Sequence, residues 1–407
     1  MRFSQRTGAV VASTVLALGL LTSCSAPSSP STSTNSDSGA ATVPDKPSKP
    51  VSLTILDVAG DLQLTQSMID DFVKNNPDII SSVTYDTGTA PDLPGKLKAQ
   101  QDAGRVGIDM VLTGTDGLSS GISQNLYLPI ASTFKDRLTN MANYLAPAAA
   151  MQTLAQDQGV VVTYYPSGPL LEYNPDQVSN PPTSPDELLA WAKANPGKFG
   201  YARPANSGPG RTFIMGLPYI LKDSNPQDPV NGWTKTWDFL KQLDQYIDYY
   251  PTGTSPTMQN IGNGTWDMTA STTGWDINPR VLKTVPANFK VTSFTGFTWV
   301  TDAHYVVVPK GVDPDKQAAI MLLINNMLTP DENAKAYDKG YFYPGPAVQG
   351  ATLDKAPQDS QDVIAQYGRP EYADMIANNP TALPLSADAM VQAYDIWDRE
   401  VGANKTK

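Results

Sequence analysis

The 407-residue chain contains one cysteine, Cys24, and one histidine, His304. A single thiol excludes internal disulfides and thiolate metal clusters, so the core alone must hold the fold. A single imidazole excludes any site built on two histidines. No His-Glu-x-x-His run and no Gly-x-Ser-x-Gly elbow is present, which argues against zinc or serine catalysis. Positive charge is also scarce: 29 Lys and Arg face 40 Asp and Glu, a net charge of −11. That balance disfavours nucleic acid and anionic lipid as partners, because both need a basic face. Beyond the first 24 residues, no apolar run is long enough to cross a bilayer.

The first 24 residues have their own pattern. Arg2 and Arg6 precede a short apolar stretch from Gly8 to Leu20. As a helix it would rise about 20 Å, short of the hydrocarbon core, so it fits a cleaved signal rather than a permanent span. Leu21-Thr22-Ser23-Cys24 resembles a lipobox, where the cysteine sulfur is acylated and becomes the new N-terminus; the alternative is an ordinary signal peptide beside a coincidental cysteine. Residues 1–23 are therefore expected to be a lipoprotein signal peptide, and their removal would take the net charge from −11 to −13. Residues 24–50 follow as the acylated cysteine and a Ser/Thr/Pro/Ala-rich linker without apolar periodicity, expected to be disordered. The remaining chain is long enough for two lobes.

From Val51 onward strand and helix patterns alternate. Val51, Leu53 and Ile55 alternate with Ser52 and Thr54 as a strand, and Thr65 is the expected cap of a helix carrying Met68, Ile69, Phe72 and Val73. Val83–Tyr85, Leu93–Ala103 and Ile108–Leu112 continue as strand, helix and strand. Val160–Tyr165 and Leu170–Tyr173 flank Pro166-Ser167-Gly168-Pro169 as extended segments. Ser184, Pro185 and Glu187 spell a capping box, and Thr329-Pro330-Asp331-Glu332 a second one. Asn206 to Arg211 leads into an apolar helix from Thr212, and the tail ends in a helix striped by Met390, Tyr394, Trp397 and Val401. The alternation implies α/β lobes with mostly parallel sheets flanked by helices.

Several stretches also resemble a known family. Phe72-Val73-Lys74-Asn75-Asn76-Pro77, Gly107-Ile108-Asp109-Met110-Val111-Leu112, and Tyr173-Asn174-Pro175 through Trp191-Ala192 are similar to extracellular solute-binding proteins of bacterial ABC importers. The similarity is to the two-lobed group that includes polyamine, iron and thiamine binders, and covers most of Val51 to Ala347. It implies a type II periplasmic-binding-protein-like fold, with lobe 1 over 51–165, lobe 2 over 166–304, and 305–407 as the return to lobe 1 plus C-terminal helices. It also implies a small-molecule solute held between the lobes and delivered to permease subunits. The expected protein is a monomer without cofactor, metal or catalytic residue, anchored outside the cytoplasm through lipid on Cys24.

In open parallel sheets ligands sit beyond the carboxyl ends of the strands, so the loops after strands supply the candidate site. Asp57 and Asp61 follow the first strand and either bind a cation or orient the turn at Gly60. Thr115 follows the third strand in a loop of small hydroxyl residues. Ser207 and Arg211 belong to a Gly-rich turn at a helix start, suited to a carboxylate or phosphate or simply to capping. Trp275 and Asp276 follow a strand; an indole beside an acid can box an ammonium, or the indole can be core. Trp299 and Asp302 lie near the return crossing, and Tyr343 lies in an aromatic, Pro-rich loop with Tyr341. Tyr164-Tyr165 and Tyr249-Tyr250 suit packing, and His304, inside an apolar strand, suits a structural role. Arg211 favours an anion, whereas Trp275, Asp276 and Asp302 favour a cation, and the residues leave both open. A sensor or adhesion domain of the same fold, or less favourably a tethered hydrolase using a carboxylate pair, are the competing functions.

Overall fold

The computed structural model describes residues 42–402 and Lys405; the expected signal peptide and Cys24 lie outside the described residues. Val51, Leu53 and Ile55 are buried while Ser52 is exposed, and this alternation makes β1 (Val51–Asp57). It is followed by α1 (Leu62–Asn75), β2 (Ile80–Thr87), α2 (Leu93–Asp102) and β3 (Met110–Thr113). β1 runs parallel to both β2 and β3, the arrangement expected from alternating strand and helix. The stretch after β3, expected as a loop, is instead the helix α3 (Thr115–Ser123), with Gly114 at its N-cap.

The chain leaves this lobe along β4 (Val160–Gly168) and enters the second through β5 (Leu170–Tyr173). There α4 (Pro185–Ala194), β6 (Phe199–Gly200), α5 (Gly208–Ile220), α6 (Thr234–Asp244) and α7 (Thr254–Gly262) lead to β7 (Met268–Ser271) and β8 (Lys290–Thr292). The long strand β9 (Trp299–Val307) returns to the first lobe, where α8 (Pro314–Met327) and β10 (Gly345–Pro346) follow. A short β11 (Thr381–Ala382) and α9 (Ala387–Glu400) come last.

The sheets are mixed rather than mostly parallel. The first has the order β10-β4-β9-β3-β1-β2, with β11 beside β9, and the second is β6-β7-β5-β8. β9 enters from the other lobe and so runs antiparallel to β3 and β4, while β5 is antiparallel to both its neighbours. Only β6–β7 is parallel in the second sheet.

Two apolar cores correspond to the two lobes; β9 changes core partway along, and on the outward path the change falls between β4 and β5. Trp299 and Val300 belong to the second core, Ala303 and Tyr305 to the first. The change falls around Thr301 and Asp302, just ahead of the expected end of lobe 2 at residue 304. Likewise Tyr164 belongs to the first core and Leu170 to the second. The C-terminal helix does not return to lobe 1 alone: Met390, Ala393 and Trp397 fill the second core, while Ser123 of α3 hydrogen-bonds Asp388 at 3.0 Å. Each core buries aromatic side chains of the kind whose truncation costs about 3–5 kcal/mol, so no disulfide is required.

Local details differ at the caps and at the domain edge. α1 begins at Leu62, so Thr65 is a buried interior residue whose Oγ1 donates to the Asp61 carbonyl at 2.9 Å. Ser184 does cap α4 by accepting from Glu187 N at 3.2 Å, but the Glu187 carboxylate accepts from Thr183 N, one residue earlier. Thr329 makes no side-chain cap; its hydroxyl donates back to Asn326, and Glu332 pairs with Lys335. At the N-terminal edge Arg137 donates to the carbonyls of Val43 and Pro44, and Val43 packs on the first core. Residues 43–45 of the linker expected to run free up to Pro50 are therefore held on the first lobe. No helix among the described residues is long and apolar enough to cross a membrane.

Candidate functional site

A cavity of about 340 Å³ lies between the lobes, walled by loops from both and by the two crossing strands. The first lobe contributes Val58, Ala59 and Gly60 after β1, Gly88 after β2, and Gly114 and Asp116 after β3. These are the carboxyl ends of the parallel strands, where such sheets leave room for ligands. The second lobe contributes Asn206 to Gly208 and Arg211 at the start of α5, Thr252 to Pro256 at the start of α7, and Trp275. Tyr165, His304, Tyr341 and Phe342 complete the lining.

Arg211 and Asp302 form the charged centre. The Asp302 carboxylate accepts from Arg211 Nη2, from the Thr115 hydroxyl, and from Tyr165 Oη at 3.0 Å. Burial opposes its charge, but the Arg211 charge and these donors outweigh burial and hold its carboxyl below the usual range. Arg211 Nη1 also lies 3.0 Å from Asp116 Oδ2. Of the residues expected at the site, Arg211 lines the cavity, whereas Asp302 and Thr115 do not line it: Asp302 holds Arg211, and Thr115 in turn holds Asp302.

Ser207 lines the cavity and caps α5, its Oγ accepting from Gly210 N at 3.2 Å and lying 2.8 Å from Thr254 Oγ1. That contact ties the starts of α5 and α7 together. Trp275 lines the cavity while packing at 5.0 Å ring-centroid distance on Tyr341, so it is both wall and core. Gly274 makes this possible: its φ is +102°, and a Cβ there would overlap the Tyr341 carbonyl. Asp276, next along, is completely buried and outside the lining. It accepts from Gly274 N at 3.0 Å and from Arg369 Nε at 2.8 Å, because the turn directs it into a network with Arg280 and Arg369.

Asp57 and Asp61 have internal partners rather than a place in the lining. Asp57 accepts from the amides of Ala59, Asp61 and Leu62 and so shapes the turn into α1. Asp61 lies 3.0 Å from His304 Nδ1. Burial raises the Asp61 carboxyl; burial also opposes the His304 charge, but Asp61 together with Asp302 and Asp57 outweighs it and raises the imidazole. Trp299 is core, its Nε1 donating to the Met375 carbonyl, and it does not line the cavity because it precedes the change of core in β9. Tyr343 is half-buried against Tyr337 and Tyr372, pointing its contacts into the second lobe.

Sequence reasoning missed the Thr252–Pro256 turn, although a glycine followed by Thr-Ser-Pro is a readable helix start. It treated His304 and Tyr165 as packing; both pack, yet both also face the cavity, which strand periodicity cannot reveal in a strand buried on two faces. Among the described residues no group of three or more His, Cys, Asp and Glu is placed to hold a metal ion.

Two α/β lobes joined by crossing strands around a lined cleft define a solute-capturing architecture. Residues 67–365 match the family model described as bacterial extracellular solute-binding protein, and the chain belongs to that family. No curated protein sequence matches it. Among solved structures it is similar to the spermidine/putrescine ABC transporter substrate-binding protein PotD from Streptococcus pneumoniae. That match has 15% identity and a TM-score of 0.55, covering 86% of this chain and 99% of the other. It is also similar to the periplasmic binding protein AfuA from Actinobacillus pleuropneumoniae, solved with fructose-6-phosphate (14% identity, TM-score 0.60, 86% and 98% covered). A third is MotA from A. tumefaciens B6, in complex with glucopine (16% identity, TM-score 0.59, 86% and 99% covered). The fold is that of a two-lobed type II periplasmic binding protein, and its family places it outside the cytoplasm.

Proposed function

We propose that this chain captures a small polar solute in the cleft between its lobes and delivers it to the permease of an ABC importer, while tethered to the membrane by lipid on Cys24. The observation that carries the reading is the cavity itself, lined from both lobes and crossed by β4 and by β9, the latter changing core near Asp302 to give a hinge. Ser207, Arg211 and Trp275 are the proposed contacts already visible in the sequence, joined by Gly114, Thr254 and His304. The neighbours' bound molecules include fructose-6-phosphate and glucopine, so the fold is compatible with several ligands. Extracting the purified protein and identifying the released molecule by mass spectrometry tests capture. Release of a stoichiometric small solute is expected, and small-angle scattering should show a smaller radius of gyration on its return. A protein that retains no solute and responds to none in a broad metabolite screen would sink the reading.

A further inference from the structure

Four helices begin at the cavity wall: α1, α3, α5 and α7. At α1 the Asp57 carboxylate accepts from the first helical amide, Leu62 N, and from Asp61 N and Ala59 N in the turn that leads into it. The chain thus carries one built-in example of a carboxylate seated on a helix start beside the cleft. α3 and α7 are different. Their N-caps are Gly114 and Gly253, which have no side chain, and no side-chain cap bond is made at either end. Both glycines line the cavity, as does Gly208 in the first turn of α5. Each of these helix starts carries about half a positive charge, although at α3 the Gly117 amide already donates to Asp116 and at α5 the Gly210 amide donates to Ser207.

An independent observation comes from Arg211. Its side chain is 3% exposed and it lines the cavity. Nη2 donates to Asp302 and Nη1 is ion-paired with Asp116 at 3.0 Å, which leaves Nε, buried and without a hydrogen bond. The acids that favoured a cation are elsewhere: Asp276 is held by Arg369 and Asp302 sits behind Arg211. Asp116 is the one carboxylate among the described lining residues, and it is engaged by Arg211 and by Gly117 N. An ammonium here would face three positive helix ends with one already-paired acid to hold it.

Resting on the solute-capture reading, we propose that the solute carries an oxyanion group, a carboxylate or phosphate ester, seated on the starts of α3, α5 and α7 beside Arg211. The body of the solute lies on Trp275, Tyr341 and Phe342. Substituting Arg211 would strip Asp302 of its partner and risk the fold, so Gly253 is the position to change. Its φ is −164°, and a Cβ would meet the Asn206 side-chain amide nitrogen at 3.3 Å, within tight range, and the Asn206 carbonyl oxygen at 3.6 Å, an ordinary contact. Gly253→Asp supplies α7 with its own carboxylate, as Asp57 does for α1, and Gly253→Asn is the neutral control.

Titration calorimetry of the purified protein with glucose, gluconate, glucose 6-phosphate, inorganic phosphate and putrescine reads the outcome. Expected is saturable binding of at least one anionic probe, at least tenfold tighter than glucose or putrescine. Gly253→Asp should weaken that binding at least tenfold, and Gly253→Asn by less. Glucose or putrescine binding as tightly as the anions, or Gly253→Asp tightening putrescine, overturns the oxyanion while leaving capture intact. An anion affinity unchanged in Gly253→Asp overturns the seat. No binding by any probe, with no solute released on extraction, removes both proposals; a released solute without an acidic group removes this one alone.

Discussion

Arg211 Nη1 stands 3.0 Å from Asp116 Oδ2, a pair that joins the second lobe to the first across the cleft. The same guanidinium is held more deeply by Asp302, on the strand where the chain changes core. One arginine therefore touches both lobes and the hinge.

The two acids should not be equivalent. Removing one partner of a buried ion pair typically costs about 3–5 kcal/mol, and Asp302 is fully buried. Asp302→Asn is expected near the lower end, about 3 kcal/mol, because Asp116 remains beside Arg211. Asp116→Asn, at the cleft surface, should cost about 1 kcal/mol. Because the Asp302 carboxyl is held low, its contribution is complete above the unfolded value near 3.8 and lost as pH falls through the folded one. Urea unfolding at pH 7 checks the order; equal losses would show that Arg211 does not distinguish them.

Trp275→Ala should lower both affinity and stability, because the indole is wall and core at once. Truncating a buried indole costs about 3–5 kcal/mol, and losing a stacking contact weakens binding by about 1–3 kcal/mol. Differential scanning calorimetry with and without ligand separates the two losses. Full stability with lost affinity would mean the ring does not pack as described.

Glu172, which does not line the cavity, predicts a pH effect on stability. It is completely buried on β5; burial, followed by the Asp276 charge, pushes its carboxyl up to about 8. The fold therefore keeps a proton that the unfolded chain releases above about 4.5, so stability falls as pH rises from 5 toward 8. Glu172→Gln, which mimics the protonated form, should flatten that slope and exceed the parent at pH 8. Denaturation midpoints at pH 5, 6.5 and 8 test it, and parallel slopes for the two proteins would contradict it.

Cys24→Ala should abolish attachment. Two acyl chains hold a protein at a bilayer where one does not, and the anchor reading assigns both to this cysteine. In cells given a clickable fatty acid, the parent should be labelled and membrane-bound and the variant neither. A labelled variant would place the lipid elsewhere.

The sequence alone specified the α/β class, the loop after β1 and the capped turn at Ser207, since these depend on local periodicity and on residues within one turn. It could not orient residues in segments buried all round. In β9 every residue is buried, so alternation gave no hint that His304 faces the cleft while Trp299 lies in the core. Asp276 was drawn from the site by Arg369, 93 positions later, and Asp302 was tied to Thr115, 187 positions earlier. Antiparallel pairing of β9 likewise followed from the chain's second crossing rather than from local pattern. The tertiary structure decided which charges meet, because a buried charge takes whichever partner the fold brings within reach, and that distance is not written in neighbouring residues.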